Sequence, residues 1–410
     1  MADRGVRALL ANRRYAFYLA SRLSLIVATQ MLSVAVGWQV YEITGKALAL
    51  GFSGLVLFVP GFLLALPGGH VADRRDRRKI LLVCHLGVAS SAVALAVIAF
   101  RGTHGLLPIY AVLAVLGVIR AFSGPAGQAL MPNLVERKDL ERAVALGSST
   151  WQLAMIAGPS VGGALYAATG RAGVVYVACA VMALFAFASV VAIGKPPTLP
   201  EPRKREPATW NTLLAGLRYV WTNRPILGTI SLDLFAVLLG GAVALLPIFA
   251  RDLLHVGPWG LGILRSAPAF GAATVAFLLA SFPLRRRAGI VMLACVFLFG
   301  LATIVFGTSK SFAVSLVALV ILGASDMISV VVRSTLIQTR TPDEMRGRVG
   351  AVNLVFIGAS NELGEFESGV TAAWLGPEAA VVVGGIGTCI VVVLWAFMFP
   401  SLRKVDRLDE

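Results

Sequence analysis

Charge is scarce in this chain. Asp, Glu, Lys and Arg make up 14% of its 410 residues, where a soluble protein carries roughly 25%. With 58% apolar residues and a mean hydropathy of +0.82, that scarcity excludes a water-soluble globule and indicates an integral membrane protein. Cysteine is nearly absent: Cys84, Cys179, Cys295 and Cys389 stand alone in apolar runs, which excludes a disulfide framework and a thiolate metal site. The four histidines, His70, His85, His104 and His255, show no ligand spacing, so no metal and no cofactor is expected. No nucleophile–base pair and no phosphate loop occurs, which argues against an enzyme.

Long apolar runs are what the chain has instead. A spanning helix needs about 20 apolar residues, and twelve candidate spans follow. In the first half they run Phe17–Val40, Ala49–Pro67, Ile80–Phe100, Leu107–Ala129, Ala143–Ala168 and Val174–Ile193. In the second half they run Ile226–Phe249, Leu261–Phe282, Ile290–Phe306, Phe312–Ser334, Val349–Leu375 and Ala380–Phe399. The first run is too long for a cleavable signal peptide and is flanked like a true span. The net charge of +15 could mean nucleic acid, but its distribution excludes that partner. With the N-terminus inside, the cytoplasmic segments hold 27 of the 36 Lys and Arg. The opposite side holds only Lys46, Arg101, Arg171, Arg251 and Lys310, and the spans hold Arg22, Arg120, Arg265 and Arg333. That bias places both termini in the cytoplasm and the chain in the inner membrane, as a multi-pass protein expected to act as a monomer.

The chain divides in two. Residues 1–194 form one six-helix bundle and 224–400 the other, with a tail at 401–410. The Pro-rich, charged segment 195–223 is a cytoplasmic linker, in which Trp210–Trp221 reads as a short interfacial helix. The halves repeat at an offset of 206: Gly158 and Gly163 align with Gly364 and Gly369, Gly170 with Gly376, Arg142 with Arg348 and Ala145 with Ala351. Arg77-Arg78-Lys79 has a counterpart in Arg285-Arg286-Arg287. The shared offset implies a duplicated six-helix unit.

Three motifs then stand out. Asp73 to Lys79 packs seven charges into seven residues between apolar flanks, so it must be a tight loop on one membrane face. Preceded by Gly69, Val71 and Ala72, and containing Arg74, Arg77 and Arg78, it resembles the pattern G-x-L-A-D-R-x-G-R-K of the major facilitator superfamily. Span 4 reads Leu116-x-x-x-Arg120-x-x-Ser123-Gly124 and span 5 reads Gly158-Pro159-x-x-Gly162-Gly163, similar to that superfamily's second signature and to its antiporter signature. Asp76 replaces the glycine of the general pattern, which is similar to the secretion-effector branch that includes the enterobactin exporter. The resemblance implies an all-α fold of 12 transmembrane helices in two pseudo-symmetric six-helix bundles, alternating access, and a central cavity lined by spans 1, 4, 7 and 10. It makes Gly69, Asp73, Arg74, Arg77 and Arg78 a cytoplasmic gate between the halves; a simple positive anchor is the alternative. It makes Gly158, Pro159, Gly162 and Gly163 an occluding kink; plain small-residue packing is the alternative.

The intramembrane charges are the remaining candidates. Arg120 lies about 20 Å along span 4 at 1.5 Å per residue, too deep to reach the surface easily. Asp326 is its repeat mate at offset 206, and Arg22 and Asp233 form a looser pair at offset 211. These four could polarise the cavity or form structural ion pairs. In span 11, Glu362 and Glu365 share a helix face, while Glu367 points elsewhere. Two carboxylates on one buried face cannot both carry charge cheaply, which suits a proton carrier; a hydrogen-bond network reaching Arg265 is the alternative. Glu362, Glu365, Asp326, Arg120 and Asp233 are therefore the candidate coupling residues. Trp38, Tyr41, Trp151 and Phe235 are candidate cavity aromatics, with belt positions equally open to Trp38 and Tyr41. The function expected is proton-coupled export of a small organic molecule, a siderophore or a multidrug-type amphiphile. Divalent-cation efflux through Glu362, Glu365 and Asp326 is the second reading, and a non-transporting membrane sensor the third.

Overall fold

The computed structural model describes residues 9–102, 105–194, 210–282 and 287–406. The linker 195–209 and most of the Arg285–Arg287 loop lie outside them. Among the described residues the chain is helical throughout: α1 Arg13–Thr44, α2 Ala47–Leu63, α3 Ala65–Arg74, α4 Arg77–Phe100, α5 Leu107–Leu130, α6 Leu140–Thr169 and α7 Ala172–Ile193. Then come α8 Trp210–Thr222, α9 Arg224–Leu239, α10 Gly257–Ser281, α11 Ala288–Thr308, α12 Phe312–Arg340, α13 Asp343–Leu375 and α14 Pro377–Met398. Nine spans among them are long and apolar enough to cross a membrane, and ten if α2 and α3 are one bent span. At 30 and 33 residues, α6 and α13 match these in length, but small and polar side chains lower their hydropathy.

Two predicted spans are interrupted helices. The second is bent by 48° where α2 meets α3. Pro67 has no N–H to offer the Leu63 carbonyl, so the ladder opens there. The seventh stops at Leu239. Gly240 and Gly241 end α9, and tight turns at Ala242–Leu245 and Leu246–Ile248 lead to a π-helical turn at Phe249–Leu253. Paired glycines followed by Pro247 break the helix for the same backbone reasons.

The chain forms two compact units, residues 1–39 with 56–208, and residues 40–55 with 209–410. In the first unit α1 is fixed by hydroxyls reaching helix carbonyls: Tyr15 donates to Ala143 O at 2.7 Å and Tyr18 to Gly127 O at 3.0 Å. In the second, Leu232, Met292, Val332, Leu336 and Leu402 pack into one buried cluster. The interfacial-helix segment α8 is helical and sets Val220 against Val349 and Val352 of α13, leaving Leu214 and Trp221 on its open side.

The duplication is visible inside each unit. In the first, Gly117 of α5 lies against the Leu57 backbone of α2; in the second, Gly323 of α12 lies against the Pro268 backbone of α10. A methyl group at Gly158 would lie 3.2 Å from Val27 O, and one at its repeat mate Gly364 would lie 3.0 Å from Val237 O. Helices α6 and α13 both end on a glycine of positive φ, Gly170 at +63° and Gly376 at +86°. Close backbone approach is the main attraction between helices in lipid, so these packing positions admit only glycine. Gly323→Leu is expected to lower stability by about 1–3 kcal/mol or more by forcing α10 off α12, read as a drop in the thermal midpoint of the detergent-solubilised protein.

Candidate functional site

The signature loop is a two-residue turn. Helix α3 runs to Arg74, Arg75 is extended, and Asp76 caps α4 by accepting the Arg78 N–H at 3.0 Å. That cap explains the aspartate where the general pattern has glycine: the carboxylate satisfies an orphan donor and faces the positive end of the helix. Arg77 donates to Asp73 O at 3.1 Å, closing the turn on itself. Arg78 reaches the end of α7, donating to Val190 O at 3.1 Å and Val191 O at 2.9 Å. It therefore binds helices of its own unit. Asp73 and Arg74 stand exposed. The two glycines differ: Gly68 packs on the Ala121 backbone of α5, while Gly69 faces open space.

The α6 glycines pack on α1. Gly158, Pro159, Gly162 and Gly163 are all buried, and a methyl at Gly162 would lie 2.8 Å from Met31 Cα. Helix α6 continues unbroken through Pro159.

Away from helix ends, the charges of the first unit's membrane helices are both basic. Arg22 donates to Tyr18 Oη at 3.0 Å and lies 5.8 Å over the exposed Trp151 ring of α6. Arg120 is exposed on α5. Among the four aromatic candidates, Trp38 and Tyr41 are buried, against the belt reading: Trp38 meets Tyr166 edge-on, and Tyr41 donates to Asp252. Phe235 is partly exposed beside Trp395.

The second unit holds the carboxylates. Asp233 of α9 forms a buried ion pair with Arg333 of α12. The repeat alignment had set Asp233 opposite Arg22; its partner lies instead in its own unit. Asp326 is two helical turns before Arg333 and lines the same small cavity as Asp233, Ser329, Val296 and Phe299. Ser329 is 1% exposed and Arg333 2% exposed, and Ser329 Oγ and Arg333 Nε are buried with no hydrogen-bond partner among the described residues. Arg333 is the functional candidate that the sequence reading passed over. Its i, i+7 spacing from Asp326 was the available signal.

On α13, Glu367 accepts a hydrogen bond from Thr371 at 2.7 Å. Glu365 packs beside Gly54: a methyl there would meet Glu365 Oε2 at 2.8 Å. Glu362 lies one turn earlier on the same face. Among the described residues, no three His, Cys, Asp or Glu side chains gather as metal ligands.

Comparison with known proteins places this architecture. Residues 9–410 match a family described as transmembrane secretion effectors. The enterobactin exporter EntS of Citrobacter koseri is 28% identical over 390 residues, covering 95% of this chain and 92% of the exporter. That of Shigella boydii is also 28% identical, over 389 residues, with the same coverages. Among solved structures, a bacterial homologue of the iron transporter ferroportin shares the fold with a TM-score of 0.72 at 16% identity, covering 96% of this chain and 99% of that one. A peptide transporter POT, solved as a point mutant, gives 0.76 at 11% identity, covering 95% of each.

Two outcomes follow from the geometry. Asp233→Leu removes the carboxylate paired with the Arg333 guanidinium and is expected to cost about 3–5 kcal/mol. The double change Asp233→Leu with Arg333→Met is expected to recover most of it, a non-additivity that thermal unfolding of the four proteins of the cycle measures. Asp76→Ala removes a helix cap and is expected to cost about 1 kcal/mol, on the same assay.

Proposed function

The chain belongs to the transmembrane secretion effector family of the major facilitator superfamily, and on that premise we propose that it is a proton-coupled exporter of a small organic molecule bearing aromatic and acidic groups. As a member of that family it is a multi-pass membrane transporter and not an enzyme. The observation that carries the finer reading is the confinement of intramembrane carboxylates to the second unit, which also carries Arg265 and Arg333. The first unit offers Arg22, stacked on Trp151 and bonded to Tyr18, and Arg120, with no acidic side chain away from the helix ends. The second unit offers Asp233, Asp326, Glu362 and Glu365. Cations over aromatic rings suit an aromatic anion, while carboxylates in apolar surroundings exchange protons. The curated relatives are named for enterobactin export, and a siderophore fits the same description.

In this reading Arg333 balances one of Asp233 and Asp326, and the other is free to exchange a proton. Glu365, with Glu362 beside it, is the second carrier. Asp73 with Arg74 and Arg77 latches the cytoplasmic side, and the Gly158–Gly163 stretch of α6 gives the close α1–α6 packing that closure requires. Positive residues inside orient both termini to the cytoplasm of an inner membrane, and the monomer is the working unit. Alternating access then needs states only a few kcal/mol apart. Divalent-cation efflux through Glu362, Glu365 and Asp326 draws no support, because no three such ligands gather among the described residues.

Everted vesicles given a pH gradient test the reading with salicylate and larger catechol acids against cationic amphiphiles and divalent metals. Gradient-driven flux of the aromatic acids is expected. Glu365→Gln should remove the gradient's effect at normal expression, and Arg22→Gln should raise KM about tenfold, equivalent to about 1.4 kcal/mol. Proton-driven flux that survives Glu365→Gln unchanged would sink the coupling assignment.

A further inference from the structure

We propose that Gly51 and Gly54 are positioning residues, which seat the helical hairpin 40–55 on α13 and fix where the Glu365 carboxylate lies. The hairpin is the end of α1 and the start of α2, and it packs within the second unit. The buried residues of α2 are Ala49, Leu50, Gly51 and Gly54, all within its first eight positions. The fully buried part of the helix is thus the end that belongs to the second unit.

The seat is a backbone surface. A methyl at Gly51 would lie 3.1 Å from Phe366 O and 3.2 Å from Gly369 Cα. Reciprocally, one at Gly369 would lie 2.9 Å from Gly51 Cα and 3.1 Å from Ala47 O. Three residues on and on the same face, Gly54 leaves the space that the Glu365 side chain fills, with Oε2 at 2.8 Å and Cβ at 3.3 Å from its missing methyl. Phe52 closes one side, edge-on to Phe366 at 5.3 Å between centroids.

The rim is polar. Tyr41 donates to Asp252 in the π-helical turn, and Arg251 lies 5.6 Å over the Tyr41 ring with its Nη1 3.5 Å from Tyr41 O. A π turn often marks a functional position, and here it aims Asp252 at the hairpin. Glycine on glycine puts no side chain at the Gly51–Gly369 contact, so that contact can part without unpacking either helix. A hairpin that docks by closing over a carboxylate links the position of α2 to the group proposed above as a proton carrier. That functional link rests on the proton-carrier reading; the seat does not.

Thiol crosslinking in native membranes tests it, with Phe52→Cys and Phe366→Cys in the otherwise native full chain, a short reducible bis-thiosulfonate reagent, and the bridge located by mass spectrometry. The bridge is expected to form. Gly54→Leu should slow its formation about tenfold or more by filling the carboxylate's space. Adding Glu365→Ala to Gly54→Leu should restore at least about half the rate, because the clash is specific to that side chain. Absence of the bridge, an unchanged rate with Gly54→Leu, or no recovery in the combined variant would each overturn the seat. In everted vesicles the bridge is expected to stop flux of any aromatic acid that the reduced protein moves. Flux that continues through the bridged protein contradicts the need for undocking. Failure to move any acid before bridging counts against the proposed function and leaves the crosslinking result to decide the seat.

Discussion

A charge inside hydrocarbon must be balanced by a partner, and the ion pair of Asp233 with Arg333 is where this protein meets that constraint most completely. Both side chains are almost wholly buried, on helices α9 and α12 of one unit. Beside them lies a small, mostly apolar cavity, with Asp326 and Ser329 on its wall. The guanidinium pairs with Asp233, and Asp326 lines the same cavity as that carboxylate.

The same constraint explains the glycines. Lipid tails give helices no hydrophobic reason to associate, so close backbone contact replaces the core of a soluble protein. The chain uses one solution twice, at Gly117 and Gly323 and again at Gly158 and Gly364. Where the copies diverge, chemistry enters. Pro159 in α6 aligns with Glu365 in α13, and Arg120 in α5 aligns with Asp326 in α12. At that aligned position the first unit carries an arginine and the second an aspartate.

Much of the fold was legible because hydropathy and glycine spacing are local signals. The paired glycines 240–241 and Pro67 even carried the positions of the two broken helices, although the apolar runs hid them. Two features were not legible. Repeat alignment links equivalent positions, not touching ones, so it matched Asp233 with Arg22 and missed Arg333, which lies 100 residues downstream of its partner. Trp38 and Tyr41 near the end of a span read as an interfacial belt, but their partners Tyr166 and Asp252 lie far along the chain and hold them inside. The candidate site was legible in its residue types, as carboxylates and arginines too deep to be accidental, and illegible in its pairings.

The central claim is that export is driven by protons through the carboxylates of the second unit. The most direct measurement is simultaneous recording of proton and substrate flux in proteoliposomes, with a pH-sensitive dye inside and an aromatic acid as substrate. The account predicts that each outward substrate movement is accompanied by inward proton movement, and that a protonophore abolishes accumulation. Substrate flux at full rate with no accompanying proton movement would contradict it.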